Sequence, residues 1–115
     1  MSPFDTISAE ALQQKLRSKE VPVVINTLTP EAYRAKRIPG SINIPTNHMD
    51  RMEEVVPDKG QPLVVYCADA DCDASPKAAN ALVDLGYKQV TDFQEGLQGW
   101  TQAGYSFIGH ETSDT

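Results

Sequence analysis

The sequence predicts an α/β sandwich in which helices flank a mainly parallel sheet. Three observations point there. Short runs rich in β-branched residues, "VPVVIN", "PLVVYC" and "KQVTDF", alternate along the chain with segments of helical period. The run "VPVVIN" is apolar almost without interruption, the pattern of a strand covered on both faces. And 115 residues make one domain, with room for a single core of about five strands and a few helices.

Taken in order, Ile7 closes a short edge strand, and Ser8 caps a helix that carries Ala9, Leu12 and Leu16 on one face. A buried strand is expected over Val23–Asn26. "TPEAYRAK" opens a second helix with Thr29 as N-cap and Pro30 at the first helical position, where the missing N–H costs nothing. Pro39-Gly40 makes a turn into a short strand at Ile42–Ile44. "HMDRMEEVV" gives a helical turn or two, stopped by Pro57. "PLVVYC" is the most strand-like segment of the chain. "SPKAANALVDLG" is a helix with Ala78, Leu82 and Leu85 inward and Gly86 as its stop. "KQVTDF" is a further strand, and "GLQGWTQAGY" a short helix, despite Gly99, that packs Leu97 and the core anchor Trp100. The closing "GHETSDT" is polar, so residues 110–115 read as a frayed tail on one domain spanning 1–115.

Composition narrows the function. A formal net charge of −6 argues against a nucleic-acid partner, because phosphate binding needs clustered Lys and Arg. "MSPFDTISAE" lacks the basic and apolar segments of a signal peptide. No apolar run approaches the roughly 20 residues that span a bilayer, so the expectation is a cytoplasmic protein with no membrane partner. The soft-ligand inventory is two cysteines and two histidines. A structural zinc usually takes four Cys/His ligands, and His48 lies far from His110 in sequence, so neither metal nor other cofactor is expected. His48 reads as an exposed polar residue and Arg37 as a surface charge.

Chemistry concentrates in "VVYCADADCDASPKAA", Val64 to Ala79. In a parallel α/β sheet the working site lies beyond the carboxyl ends of the strands, and Cys67 falls there. The loop from Cys67 to Ala74 runs into a helix N-terminus, where converging N–H groups and the helix dipole stabilise an anion. A thiolate so placed has a lowered pKa and is a nucleophile. Cys72 can be a loop thiol with no role, a resolving partner that closes a disulfide with Cys67, or itself the reactive thiol. Asp69, Asp71 and Asp73 can be polar loop filler, with Asp73 an alternative cap beside Ser75. A phosphatase-type loop is not expected. It needs an arginine six residues after the cysteine to clamp an oxyanion, and those positions here hold Asp73 and Ala78.

Four segments, in this order across most of the chain, resemble the rhodanese-like domain family. They are "RIPGSINIP" (Arg37 to Pro45), "VVYC" (Val64 to Cys67), "SPKAANALVDLGY" (Ser75 to Tyr87) and "EGLQGWTQAGY" (Glu95 to Tyr105). The resemblance implies a three-layer sandwich around a five-stranded parallel sheet. It implies a sulfurtransferase in which Cys67 takes sulfane sulfur from a donor such as thiosulfate and passes the persulfide to a thiol-type acceptor, a small molecule or a protein. The cradle for that sulfur would be the backbone of Ala68, Asp69, Ala70, Asp71, Asp73, Ala74 and Ser75, with Cys72 secondary or resolving.

The loop departs from the family pattern. It is two residues longer, holds no basic residue and no glycine, and has Ala74 where the family carries arginine. Asn26-Thr27-Leu28 replaces the family's charged Asp-Val-Arg. Three carboxylates close to a thiol raise its pKa and repel a small dianionic donor. A protein persulfide or a cationic partner surface suits such a rim better. A thiol redox switch using Cys67 and Cys72, and a catalytically silent binding or regulatory module, are the alternative functions the loop leaves open.

Overall fold

The computed structural model describes residues 4–110. Its elements are β1 (Asp5–Thr6), α1 (Ala9–Leu16), β2 (Val23–Asn26), α2 (Pro30–Ala35) and β3 (Ile42–Asn43), then a 3-10 helix (Thr46–Arg51) that runs into α3 (Met52–Val55). They continue with β4 (Leu63–Tyr66), α4 (Ala74–Asp84), β5 (Val90–Phe93) and α5 (Gly96–Gln102). The strands form one sheet in the order β1-β5-β4-β2-β3, and every pairing is parallel. The predicted fold class is the observed one.

Local chemistry explains the helix starts. Ser8 caps α1 by accepting the Ala11 N–H at 3.1 Å, and Thr29 caps α2 by accepting the Ala32 N–H at 3.2 Å. Gly86, at φ +100°, follows the last turn of α4 in a conformation that side chains disfavour. Several boundaries differ from the sequence reading: β3 ends at Asn43 rather than Ile44, and α5 ends at Gln102. The edge strand ends at Thr6, and Ile7 instead turns into the core beside α1. α4 begins at Ala74, so Ser75 lies inside its first turn.

Alternation along the strands builds the two cores. Val64 and Tyr66 face Ala9, Leu12, Phe93 and Trp100 on the side of α1 and α5. Leu63 and Val65 face Met49, Met52, Ala78 and Leu82 on the side of α3 and α4. The result is three layers. Trp100 is the anchor expected of it, edge-on to Phe93 with its Nε1 donating to the Ser106 carbonyl at 2.9 Å. Leu85 packs against the α4-side core but is only partly buried.

Backbone hydrogen bonds join the last described residues to the segment before β3. Ile108 and Arg37 exchange backbone hydrogen bonds, and the His110 N–H donates to Arg34. The rest of the expected tail, 111–115, lies outside the described residues. No helix among the described residues is long and apolar enough to cross a membrane.

The register decides where the chemistry sits. Asn26, Tyr66 and Phe93 lie level at the carboxyl ends of β2, β4 and β5. β4 is the middle strand, so Cys67 is the first residue beyond the centre of the sheet.

Candidate functional site

The strand tip is clamped from three directions. Thr27 donates its N–H and its hydroxyl to the Tyr66 carbonyl, at 3.0 and 2.9 Å. The first amides of α5, from Leu97 and Gln98, donate to the carbonyls of Cys67 and Ala68 at 3.0 and 2.9 Å. Thr46, in the 3-10 helix, donates its hydroxyl to the Ala74 carbonyl at 2.7 Å. Cys67 itself is fully buried. Asn26, in the place of a family charge, is a structural residue. Its Nδ2 donates to the Tyr66 hydroxyl at 3.1 Å, and its Oδ1 accepts the Leu28 N–H at 2.9 Å.

Beyond Cys67 the loop curls back on itself. Asp69 accepts the Asp71 N–H on its carboxylate at 3.0 Å and the Cys72 N–H on its backbone carbonyl at 3.2 Å. This Asx-type turn brings Cys72 over Cys67, with Cα atoms 6.4 Å apart and the sulfurs joined in a disulfide. The Ser75 hydroxyl, also buried, stands 3.4 Å from Cys67 Sγ, and the Cys72 carbonyl stands 3.6 Å from it.

The expected cradle residues are therefore gathered at one place, but they are not equivalent. The amides of Asp71 and Cys72 are engaged inside the turn. Those of Ala68, Asp69, Ala70 and Asp73 have no partner among the described residues, and the start of α4 adds only the N–H groups of Ala74 and Ser75, because Pro76 has none and the Lys77 N–H donates to the Asp73 carbonyl. Ser75 contributes its side chain as well. Asp73 occupies the N-cap position without a side-chain cap bond, because its carboxylate pairs with Lys77 at 3.1 Å, one helical turn on. The acidic rim is thus partly turn chemistry and partly an exposed ion pair, which contributes little to stability.

Arg37 is partly buried, with its guanidinium 4.9 Å from the Tyr33 ring and donating to the Tyr33 carbonyl at 3.4 Å. His48 is half-buried within the 3-10 helix. No group of three or more His, Cys, Asp or Glu among the described residues could hold a metal ion.

One site residue escaped the sequence reading. Asp92, on β5 level with Val65 of β4, is fully buried, and neither carboxyl oxygen has a hydrogen-bond partner of full geometry among the described residues. Burial pushes its pKa above the ordinary carboxylate range, and the nearby Ser75 hydroxyl offsets part of that shift. Its signal in the sequence was an acid sharing an inward strand face with Val90.

A consequence for stability follows. The folded protein holds the Asp92 proton more tightly than the unfolded chain does. Asp92 therefore favours folding most below the ordinary Asp pKa of about 3.9, and that contribution is lost as pH rises through the folded value. Asp92→Asn removes this dependence. Its denaturation midpoint, relative to that of the unsubstituted protein, is expected to improve as pH rises above about 4, until the carboxyl is ionised in the folded protein. A constant difference across that range would refute the assignment.

The profile of the Rhodanese-like domain matches residues 8–103. An HTH-type transcriptional regulator of Mycobacterium tuberculosis is 35% identical over 104 residues, which cover 90% of this chain and 44% of that protein. The chain thus spans less than half of that relative. A sulfurtransferase of Allochromatium vinosum is 26% identical over 106 residues, 91% of this chain and 95% of its own length. Among solved structures, a thiosulfate sulfurtransferase from Pseudomonas aeruginosa is similar with a TM-score of 0.84 at 26% identity, over 95% of this chain and 21% of that one.

Proposed function

The chain belongs to the rhodanese-like domain family, and from that premise we propose that it is a sulfurtransferase carrying sulfane sulfur as a persulfide on Cys67 and passing it to a thiol-type acceptor. The observation that carries the reading is the position of Cys67. It lies one residue past the middle strand, at the start of a loop that carries open amides and leads into the N-terminus of α4, with the Ser75 hydroxyl 3.4 Å from its sulfur.

Each of these groups favours negative charge on that sulfur. The Cys67 thiolate attacks the sulfane sulfur of the donor, the donor's S–S bond breaks, and sulfite (from thiosulfate) or a thiolate (from a persulfide) departs. An acceptor thiolate then attacks the outer sulfur, and Cys67 leaves as its stabilised thiolate. Ala68, Asp69, Ala70, Asp73, Ala74 and Ser75 supply the cradle. The acidic rim favours a donor presented on a cationic protein surface over a free dianion. The cytoplasm, where thiols are kept reduced, suits such a cycle.

The test is intact mass after incubation of the reduced protein with a sulfane-sulfur donor. A gain of about 32 Da on Cys67 is expected, lost in Cys67→Ser together with transfer activity, by a factor on the order of 10³ or more. The same gain on Cys72 in Cys67→Ser would move the carrier to Cys72, and no gain at all would overturn the reading. A second reading, a thiol redox switch, is favoured by the Cys67–Cys72 bond. Mild oxidation of the dithiol, with loss of about 2 Da in a protein that never accepts sulfur, would establish it. A silent binding module is what remains if neither change occurs.

A further inference from the structure

We propose that the persulfide is discharged within the chain: Cys72 displaces the sulfane sulfur from Cys67 as hydrosulfide, so that the site is a sulfane-sulfur reductase as well as a carrier. The inference rests on the persulfide reading above. In the step, the Cys72 thiolate attacks Cys67 Sγ, the bond between Sγ and the outer sulfur breaks, and that sulfur leaves as HS⁻. The Cys67–Cys72 disulfide remains. Two thiolate sulfurs are oxidised to the disulfide and the sulfane sulfur is reduced to sulfide, so atoms and electrons balance. An external dithiol, or two monothiols, restores the cysteines and is itself oxidised to a disulfide.

Three features of the loop carry this. Cys72 Sγ is bonded to Cys67 Sγ, the atom to which the outer sulfur of a persulfide would be joined, so disulfide and persulfide exclude one another. The approach of Cys72 is built in, since the Asp69 turn and the Thr46–Ala74 hydrogen bond hold the loop in the shape that closes the pair. An attacking group held in this way acts at high effective concentration. An external thiol is not tethered to the site in this way; once the pair has closed, Cys67 is fully buried while Cys72 is partly exposed.

The same asymmetry directs the return step. A reducing thiol meets Cys72 first, and Cys67 departs as the thiolate faced by the Ser75 hydroxyl. A loop without a basic residue need not then capture a small acceptor, because the chain supplies its own.

A single-turnover experiment separates this proposal from the reading beneath it. Fully reduced protein, freed of reductant and kept anaerobic, is mixed with thiosulfate and, separately, with glutathione persulfide. The unsubstituted protein is expected to lose about 2 Da and, with thiosulfate, to release close to one sulfide per chain. Cys72→Ser and Cys72→Ala are expected to keep a gain of about 32 Da on Cys67 and release sulfide at least tenfold more slowly. If both variants load and the unsubstituted protein also keeps the added sulfur, or if all three release sulfide alike, the discharge step is overturned and the carrier stands. Transfer of the added sulfur to Cys72 likewise overturns it. If no form loads from either donor, the carrier reading falls, and the discharge with it.

Discussion

Tyr66→Phe is expected to destabilise the protein by about 3 kcal/mol, within a range of roughly 2–5, although it removes a single oxygen. The hydroxyl sits at a buried crossing of three segments. It accepts the Asn26 Nδ2–H and the Ile38 N–H, each at 3.1 Å, and meets Ser41 Oγ at 2.9 Å. Ser41 already donates to the Ile38 carbonyl at 2.7 Å, so Tyr66 is the donor to Ser41. Phenylalanine leaves the Asn26 and Ile38 donors buried without a partner, and each such loss costs about 1–3 kcal/mol.

Burial raises the hydroxyl's pKa above the ordinary tyrosine value, with Ser41, Ile38 and Asn26 acting in the opposite direction. The phenol therefore stays protonated through neutral pH and the loss is the same across that range. Denaturant unfolding measures it as a lower midpoint with an unchanged slope. A loss below about 1 kcal/mol would mean that the two donors find other partners.

Gly96→Ala is expected to damage stability and sulfur loading together. Gly96 has φ +59°, and a Cβ built there would come within 2.1 Å of the Cys67 carbonyl oxygen and 2.8 Å of its carbonyl carbon. The left-handed conformation alone costs a side chain roughly 1–2 kcal/mol. The clash is with backbone and cannot be relieved by a rotamer change. Either α5 retreats, breaking the Leu97 and Gln98 hydrogen bonds to the loop, or the Cys67–Ala68 peptide shifts and carries the thiol with it.

A total near 3 kcal/mol is expected, with persulfide formation slowed about 10²-fold, the scale of a 1 Å misplacement at a reacting centre. Loading rates measured well below the unfolding transition separate the two effects. A destabilised variant that loads at the normal rate would show that α5 yields and the thiol does not.

The parts of this molecule that were legible in the sequence are those decided by neighbours in the chain. Ser8 and Thr29 cap helices with their own side chains, the run at Val23–Asn26 is a strand of those bounds, and Gly86 ends α4 by its own conformation. Cys67 was placed at the strand tip because β4 is nearly unambiguous. What stayed hidden depends on partners distant in sequence or on competition between near ones. The Tyr66 hydroxyl draws its partners from β2 and from the turn before β3, and Gly96 is required by the Cys67 carbonyl just past β4. Asp73 could have capped α4 or paired with Lys77, and only the folded loop decides for the ion pair. Asp92 was invisible as a site residue until the register put it on the α4 side of the sheet, level with Val65.

The strand order has a consequence for how the chain reaches this state. β4 is bracketed by β2, which precedes it, and by β5, which follows it, while β1 at the amino end pairs only with β5. Every contact in the sheet therefore spans an intervening helix or more, and such non-local pairing makes for slow folding. During synthesis Leu63–Tyr66 leaves the ribosome before its β5 partner, and the amino-terminal strand waits longest of all for its own. Cys67 likewise precedes α4, β5 and α5 along the chain, so its thiol is made before the elements that enclose it.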